Sequence, residues 1–165
     1  MPCTQLRASV THVVHNAWLS TRDDNLPLSI FDGSFRMLRD LIDVALSSPH
    51  PTPPRLILIS TTDTLRGAAH RSEDTSAVAP QGPISACDAA GSTYGESKWI
   101  GEQMLAAAAS RTPLRPIVVR LGPLCGAANG RWREDAVLPM IVHLGATLGT
   151  LPHVDEVRRR PSTAS

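Results

Sequence analysis

The stretch "RLILIS", residues 55 to 60, is a short run rich in β-branched residues, and its uninterrupted apolar character decides the fold. A half-exposed strand alternates apolar and polar positions, whereas a continuous run is the pattern of a strand covered on both faces, as in a parallel sheet. Two other runs share that character, "THVVHNA" (Thr11 to Ala17) and "PIVVRLG" (Pro116 to Gly122). Between the first two strands, "LSIFDGSFRMLRDLIDVALSS" places Phe31, Phe35, Leu38, Ile42 and Ala45 at spacings of four, three, four and three, which is one face of a helix. The proline-dense "PHPTPPR" stops that helix and leads into the next strand. Before the third strand, "ESKWIGEQMLAAAAS" supplies strong helix formers, with Ile100, Met104, Leu105 and Ala108 spaced to face a sheet.

Strand, helix, strand, helix, strand in that order predicts right-handed crossovers and an open α/β parallel sheet with flanking helices. A last helix is expected across "EDAVLPMIVHLGATLG", with Pro139 as its weak point. Residues 1–150 then form one domain, and residues 151–165 have little to bury and are expected to be a disordered tail. Residues 62–93 make a long polar connection without a clear period, and loops of that length in a compact domain are usually functional. In an open α/β sheet ligands sit beyond the carboxyl ends of the strands, where this segment emerges.

Composition narrows the partners. With 165 residues, 42% of them hydrophobic, the chain is long enough for a real core. A formal net charge of +1 argues against a nucleic-acid surface, whose affinity comes from many clustered cations. The only basic cluster, Arg158 to Arg160, reads as a solvated tail. Cys3, Cys87 and Cys125 lack metal-ligand spacing and read as reduced thiols of a cytoplasmic protein. No apolar stretch approaches the length that spans a bilayer, and no membrane partner is expected. His12 and His15 stand three apart in a strand, where side chains alternate faces, so they are not expected to converge on one metal.

The connection from 62 to 93 ends at "GSTYGESKWIGEQ", which holds the chain's single tyrosine and single lysine as Tyr94 and Lys98. At i and i+4 on a helix they project from one face, with Cβ atoms about 6 Å apart. A phenol with a pKa near 10 moves protons poorly at neutral pH unless its anion is favoured, and a neighbouring ammonium is expected to lower that pKa. Proton transfer to a carbonyl oxygen, timed with hydride delivery at its carbon, suits such an acid. "ILISTTDT" adds the hydroxyls of Ser60, Thr61 and Thr62 at the end of the middle strand, one of which is expected to hold the carbonyl. The simpler reading is that these hydroxyls satisfy the backbone of a turn.

The segment "STYGESK" resembles the YxxxK motif of short-chain dehydrogenases/reductases, and "LILIST" resembles the strand and Ser/Thr of their extended, epimerase-like branch. More narrowly, "THVVHNAW", "SSPHPTPPRLILIST", "YGESKWIGEQML" and "VVRLGPLCG" are similar to the terminal thioester reductase domain of fungal nonribosomal-peptide-synthetase-like and carboxylic acid reductases. The resemblance implies a Rossmann-like sheet in which Thr61 orients the carbonyl, Tyr94 donates the proton and Lys98 bonds the nicotinamide ribose. It further implies that Asn16 and Ala17 pass beside the cofactor, and that Gly122 and Pro123 line the nicotinamide. The implied reaction is reduction by NADPH of an acyl chain held as a phosphopantetheine thioester on a carrier protein, giving an aldehyde or, further on, an alcohol. Adenylation and carrier domains are the implied upstream partners.

Such a fold begins with a strand, a glycine-rich turn and a helix that holds the pyrophosphate. This chain resembles the family from about its fourth strand onward, so a partial sheet lacking the N-terminal glycine-rich βαβ unit is expected. Its first strand should then be an edge that invites pairing with another chain. "HVDEVRRRPSTAS" does not resemble the corresponding segment of relatives and reads as a departure at the far end. Two other functions stay open on these residues: a nucleotide-sugar epimerase or small-molecule dehydrogenase with a similar trio, and a non-catalytic remnant unable to bind cofactor alone.

Overall fold

Burial alternates along the middle strand, β2 (Arg55–Thr61): Leu56, Leu58 and Ser60 are buried, and Ile57, Ile59 and Thr61 are half-buried. The computed structural model that gives this pattern describes residues 7–21, 23–24, 26–71, 84–124, 126–132 and 136–151. β1 (His12–His15) and β3 (Ile117–Leu121) flank β2, both parallel to it, in the order β1-β2-β3. The register pairs His15 with Leu58 and Thr61 with Leu121, so all three carboxyl ends lie at one edge. This is the expected parallel α/β sheet, and the turn from β1 to the next helix contains no glycine.

Two long helices fill the crossovers. α1 (Asp32–Leu46) continues from a 3₁₀ turn at Leu28–Phe31 and buries Ser34, Leu38, Ile42 and Ala45. Phe31 is fully buried, as the periodicity requires, while Phe35 is half-buried and meets Trp18 edge-on. α2 (Arg66–Arg71) follows a 3₁₀ turn at Thr62–Leu65, and α3 (Ala86–Ala89) is a single turn closed by a reciprocal capping box between Ser85 and Asp88. The loop expected from 62 to 93 is therefore partly helical; its residues 72–83 lie outside the described residues. α4 (Thr93–Arg111) forms the second crossover.

Leu38, Ile42, Ala45, Leu56, Leu58, Leu105 and Leu114 make one core cluster between α1, α4 and the sheet. Burial of each large side chain contributes about 2 kcal/mol relative to exposure. Met104 and Ala108 pack against this cluster, but Ile100 does not belong to it. The face of α4 turned inward is Ser97, Lys98, Gly101, Glu102 and Leu105, small and polar except for its last member.

Coverage on both faces of the sheet was expected from the continuous runs. Instead Val14 is 62% exposed, Ile117 37% and Leu121 36%, and the register puts all three on the face of Ile57, Ile59 and Thr61. The described helices cover the opposite face. Among the described residues β1 is an edge strand of the sheet.

The chain divides into two compact units, Met1–Gly122 and Pro123–Ser165. The second contains α5 (Val137–Leu148), capped by Gly149 at φ +66°, a left-handed conformation that favours glycine. Pro139 falls in its first turn, where a missing N–H leaves no helical bond unmade, so it does not interrupt the helix. Cys3, Cys125, the Arg158–Arg160 run and residues 152–165 lie outside the described residues. Among the described residues no helix is long and apolar enough to cross a membrane, and no cluster of three or more His, Cys, Asp or Glu is placed to hold a metal.

Candidate active site

The start of α4 is specified by its own sequence. Gly91 takes φ +113°, which a side chain would resist, and Ser92 caps the helix by accepting from Gly95 N at 3.2 Å. Ser92 and Thr93 also donate to Asp24, at 3.1 and 2.6 Å, anchoring the cap to the loop after β1. Tyr94 therefore enters in the first turn of α4 and Lys98 one turn later. A Cβ built on Gly95 would stand 2.7 Å from the Asp63 carbonyl oxygen, so only glycine allows α4 to touch the turn that follows Thr61.

Tyr94 is half-buried, its ring tilted against that of Phe31 at 6.4 Å. Lys98 is 2% exposed. Its Nζ donates to the Ile59 carbonyl at 2.6 Å and lies 4.7 Å from the Trp18 ring centroid and 5.7 Å from that of Tyr94. The pair thus faces one small volume at the carboxyl end of β2.

The two pKa values depart from the simple expectation. Burial lowers that of Lys98 to about 8, with Glu102 acting in the other direction. The Tyr94 phenol is raised, first by burial and then by Asp63, rather than lowered by its cationic neighbour. An ammonium facing the ring favours the phenolate less than desolvation and a nearby carboxylate disfavour it. Tyr94 consequently keeps its proton at neutral pH.

The three hydroxyls after Ile59 separate. Ser60 points to the helix-covered face and donates to Glu102 Oε1 at 2.5 Å. Thr61 Oγ1 accepts from Asp63 N at 3.2 Å, capping the 3₁₀ turn, while its own proton has no acceptor among the described residues. The turn-capping role of that hydroxyl is thus observed, and it keeps a proton to donate. Thr62 lies within the turn, half-buried. Asn16 and Ala17 are exposed just past the end of β1, and Gly122 follows β3 one residue beyond the rung that holds Thr61. Pro123 opens the second unit.

Three participants carried no signal in the linear pattern. Trp18 covers the Lys98 ammonium, donates from Nε1 to Ser97 Oγ at 3.1 Å and fits against Gly101. His15, 3% exposed, meets Trp18 edge-on at 5.6 Å, its Nε2 has no partner among the described residues, and burial followed by Lys98 lowers its pKa. It stays neutral, inward of the sheet, while His12 is exposed on the other face. Glu102 joins Ser60 to Arg120, whose Nη2 donates to Oε2 at 2.6 Å. The hydrogen bonds of Trp18 and Glu102 each span at least 18 residues, and local periodicity cannot report them.

A separate cavity of about 660 Å³ lies at the opposite, amino-terminal edge of the sheet, lined by His12, His50, Arg55, Arg115 and several prolines. It holds no carboxylate and lies away from Tyr94 and Lys98.

Known proteins resemble this chain over most of its length. An adenylate-forming reductase of Heterobasidion annosum is 41% identical over 149 residues, 90% of this chain and 13% of that protein. A second adenylate-forming reductase, from Serpula lacrymans, is 35% identical over 91% of this chain and 13% of its own length. A non-reducing polyketide synthase of Emericella nidulans is 32% identical over 91% of the chain and 6% of its own. The chain thus spans a small fraction of these relatives. Among solved structures, the terminal R domain from the myxalamid PKS-NRPS biosynthetic pathway superposes with a TM-score of 0.72 at 19% identity, covering 93% of this chain and 37% of that one; the likeness is one of fold. The model of the NAD dependent epimerase/dehydratase family matches residues 4–151, and the chain belongs to that family.

Proposed function

We propose that this chain carries the reaction centre of an NADPH-dependent reductase that converts a carrier-bound acyl thioester to an aldehyde. The observation that carries the reading is the meeting of Tyr94 and Lys98 on one face of α4, beside the turn that begins at Thr61. The names of the relatives, adenylate-forming reductases and a polyketide synthase, support a carrier-bound substrate, with adenylation and carrier domains as the expected partners.

The residues fit the ribose end of a nicotinamide cofactor. An ammonium has three donors, and Lys98 uses one of them on Ile59, which leaves two for ribose hydroxyls. Asn16, Ala17, Gly122 and Pro123 are the further residues proposed to line that end. When bound, the cofactor supplies a hydride to the thioester carbonyl carbon. Thr61 donates its hydroxyl proton as a hydrogen bond to the carbonyl oxygen and polarises it. Tyr94 transfers its phenolic proton to that oxygen as negative charge develops there, giving a hemithioacetal. Collapse of the hemithioacetal breaks the C–S bond and releases the aldehyde and the carrier thiol. Lys98, predominantly charged at neutral pH, stabilises the phenolate that remains.

Tyr94, raised by burial and by Asp63, holds the proton that a reduction calls on it to donate. The test is to supply the protein that carries this chain with NADPH and either an acyl phosphopantetheine thioester or a nucleotide sugar. Aldehyde formation from the thioester is expected. Turnover of the sugar, or of neither substrate, would reject the reading.

A further inference from the structure

Glu102 lies one turn beyond Lys98 on the inward face of α4 and is 5% exposed. A carboxylate is rarely buried so deeply without partners, and removing one partner of such a group leaves an uncompensated charge. Its oxygens are fully engaged. Ser60 Oγ donates at 2.5 Å, Arg120 Nε at 3.0 and 3.2 Å, and Arg120 Nη2 at 2.6 Å. Ser60 and Arg120 are partners on one rung of the β2–β3 ladder, so a single carboxylate ties α4 to two strands at their carboxyl ends.

Ser60 sits between the two groups that matter. The carbonyl of Ile59 on one side accepts from Lys98, and on the other side Thr61 begins the turn against which Gly95 packs. Among the described residues Glu102 forms its ion pair with Arg120 and not with Lys98, so it reaches the ammonium through space. Among the described residues, His15 on β1 and Tyr94 and Glu102 on α4 are the titratable groups that act on or face Lys98, whereas Arg120 on β3 is paired with Glu102 and Asp63, in the turn after β2, acts on Tyr94. Of these, Glu102 is the buried anion on the helix face of Lys98 itself.

We infer that Glu102 is a positioning residue for Thr61, Tyr94 and Lys98: it pins α4 to β2 and β3 beneath the site and supplies the buried negative charge that offsets the Lys98 ammonium. Its functional meaning rests on the reductase reading, but its physical content does not. The opposition between burial and Glu102 at Lys98 agrees with this assignment.

Because Lys98 is the only lysine, the 165-residue chain labelled with ¹³C-lysine gives a single titrating side-chain resonance. The wild-type midpoint is expected near 8. Glu102→Gln is expected to lower it by about one pH unit, and Glu102→Asp, which keeps the charge, to hold it near the wild-type value. An unchanged or raised midpoint in Glu102→Gln would overturn the inference, because a merely structural role admits water and moves the lysine up toward its ordinary value. Should loss of the carboxylate beside Arg120 prevent Glu102→Gln from folding, the comparison is made between Arg120→Gln and Arg120→Gln with Glu102→Gln. The midpoint should then fall on loss of the carboxylate, and a rise or no change would be equally fatal. If the midpoints move as expected while Tyr94→Phe retains full turnover, the placement of Glu102 stands and the reductase reading fails.

Discussion

Gly95→Ala is the most economical probe of how the site is assembled. In an open helix the exchange stabilises by about 1 kcal/mol, because glycine loses more backbone freedom on folding than alanine does. Here the new Cβ would stand 2.7 Å from the Asp63 carbonyl oxygen and 3.0 Å from its carbon. Ordinary contact would require the first turn of α4 to lift from the turn after β2 by roughly 0.7 Å, and overpacking of this kind costs about 2–3 kcal/mol. Overlap with backbone cannot be relieved by a rotamer change, so the steric effect wins by about 1–2 kcal/mol. The melting temperature of the chain should fall by about 3 to 8 °C. Gly33→Ala is the internal control: nothing lies within 4 Å of its Cβ, in the first turn of α1. That variant should be slightly more stable than the parent, by about 0.5 kcal/mol. Differential scanning calorimetry of both variants reads the two signs. Equal or increased stability in Gly95→Ala would refute the close approach that sets Tyr94 beside Asp63.

Lys98 also makes stability depend on pH. Its folded pKa is about 8 against 10.5 ordinarily, so across that window the unfolded chain binds more protons and the free energy of unfolding rises with pH. Lys98→Met should abolish that rise, which paired denaturant titrations at pH 7.5 and 9.5 would detect; parallel curves would contradict the burial of the ammonium. Tyr94 works in the opposite sense above pH 10, where the folded chain retains a proton the unfolded chain has lost, and stability falls. On the uncovered sheet face, Val14→Lys should reduce self-association of the isolated chain in sedimentation velocity while destabilising it by no more than about 1 kcal/mol. Unaltered association would move the sticky surface elsewhere.

The strands were legible because each is an apolar run bounded by turn residues, and α1 because Leu38, Ile42 and Ala45 keep a helical period. The inward face of α4 was not. Ser97, Lys98, Gly101 and Glu102 are the residues hydrophobic patterning assigns to solvent, so periodicity selected Ile100 instead. They are buried because the sheet presents Ser60, Arg120 and a backbone carbonyl to them. The spacing of Tyr94 and Lys98 placed the pair correctly, but the sign of the phenol's shift depends on burial and on Asp63, and neither is visible in a spacing of four. Among the described residues one sheet face is left partly uncovered at Val14, Ile117 and Leu121, since a continuous apolar run states what a strand can bury and not which elements bury it.

Single-turnover oxidation of NADPH by the protein carrying this chain, with a carrier-bound acyl thioester and with Tyr94→Phe beside the parent, bears most directly on the proposed proton donor. The variant keeps the ring against Phe31 and should melt as the parent does, yet lose a factor of about 10² to 10⁴ in rate. A folded Tyr94→Phe protein within threefold of the parental rate would contradict the assignment.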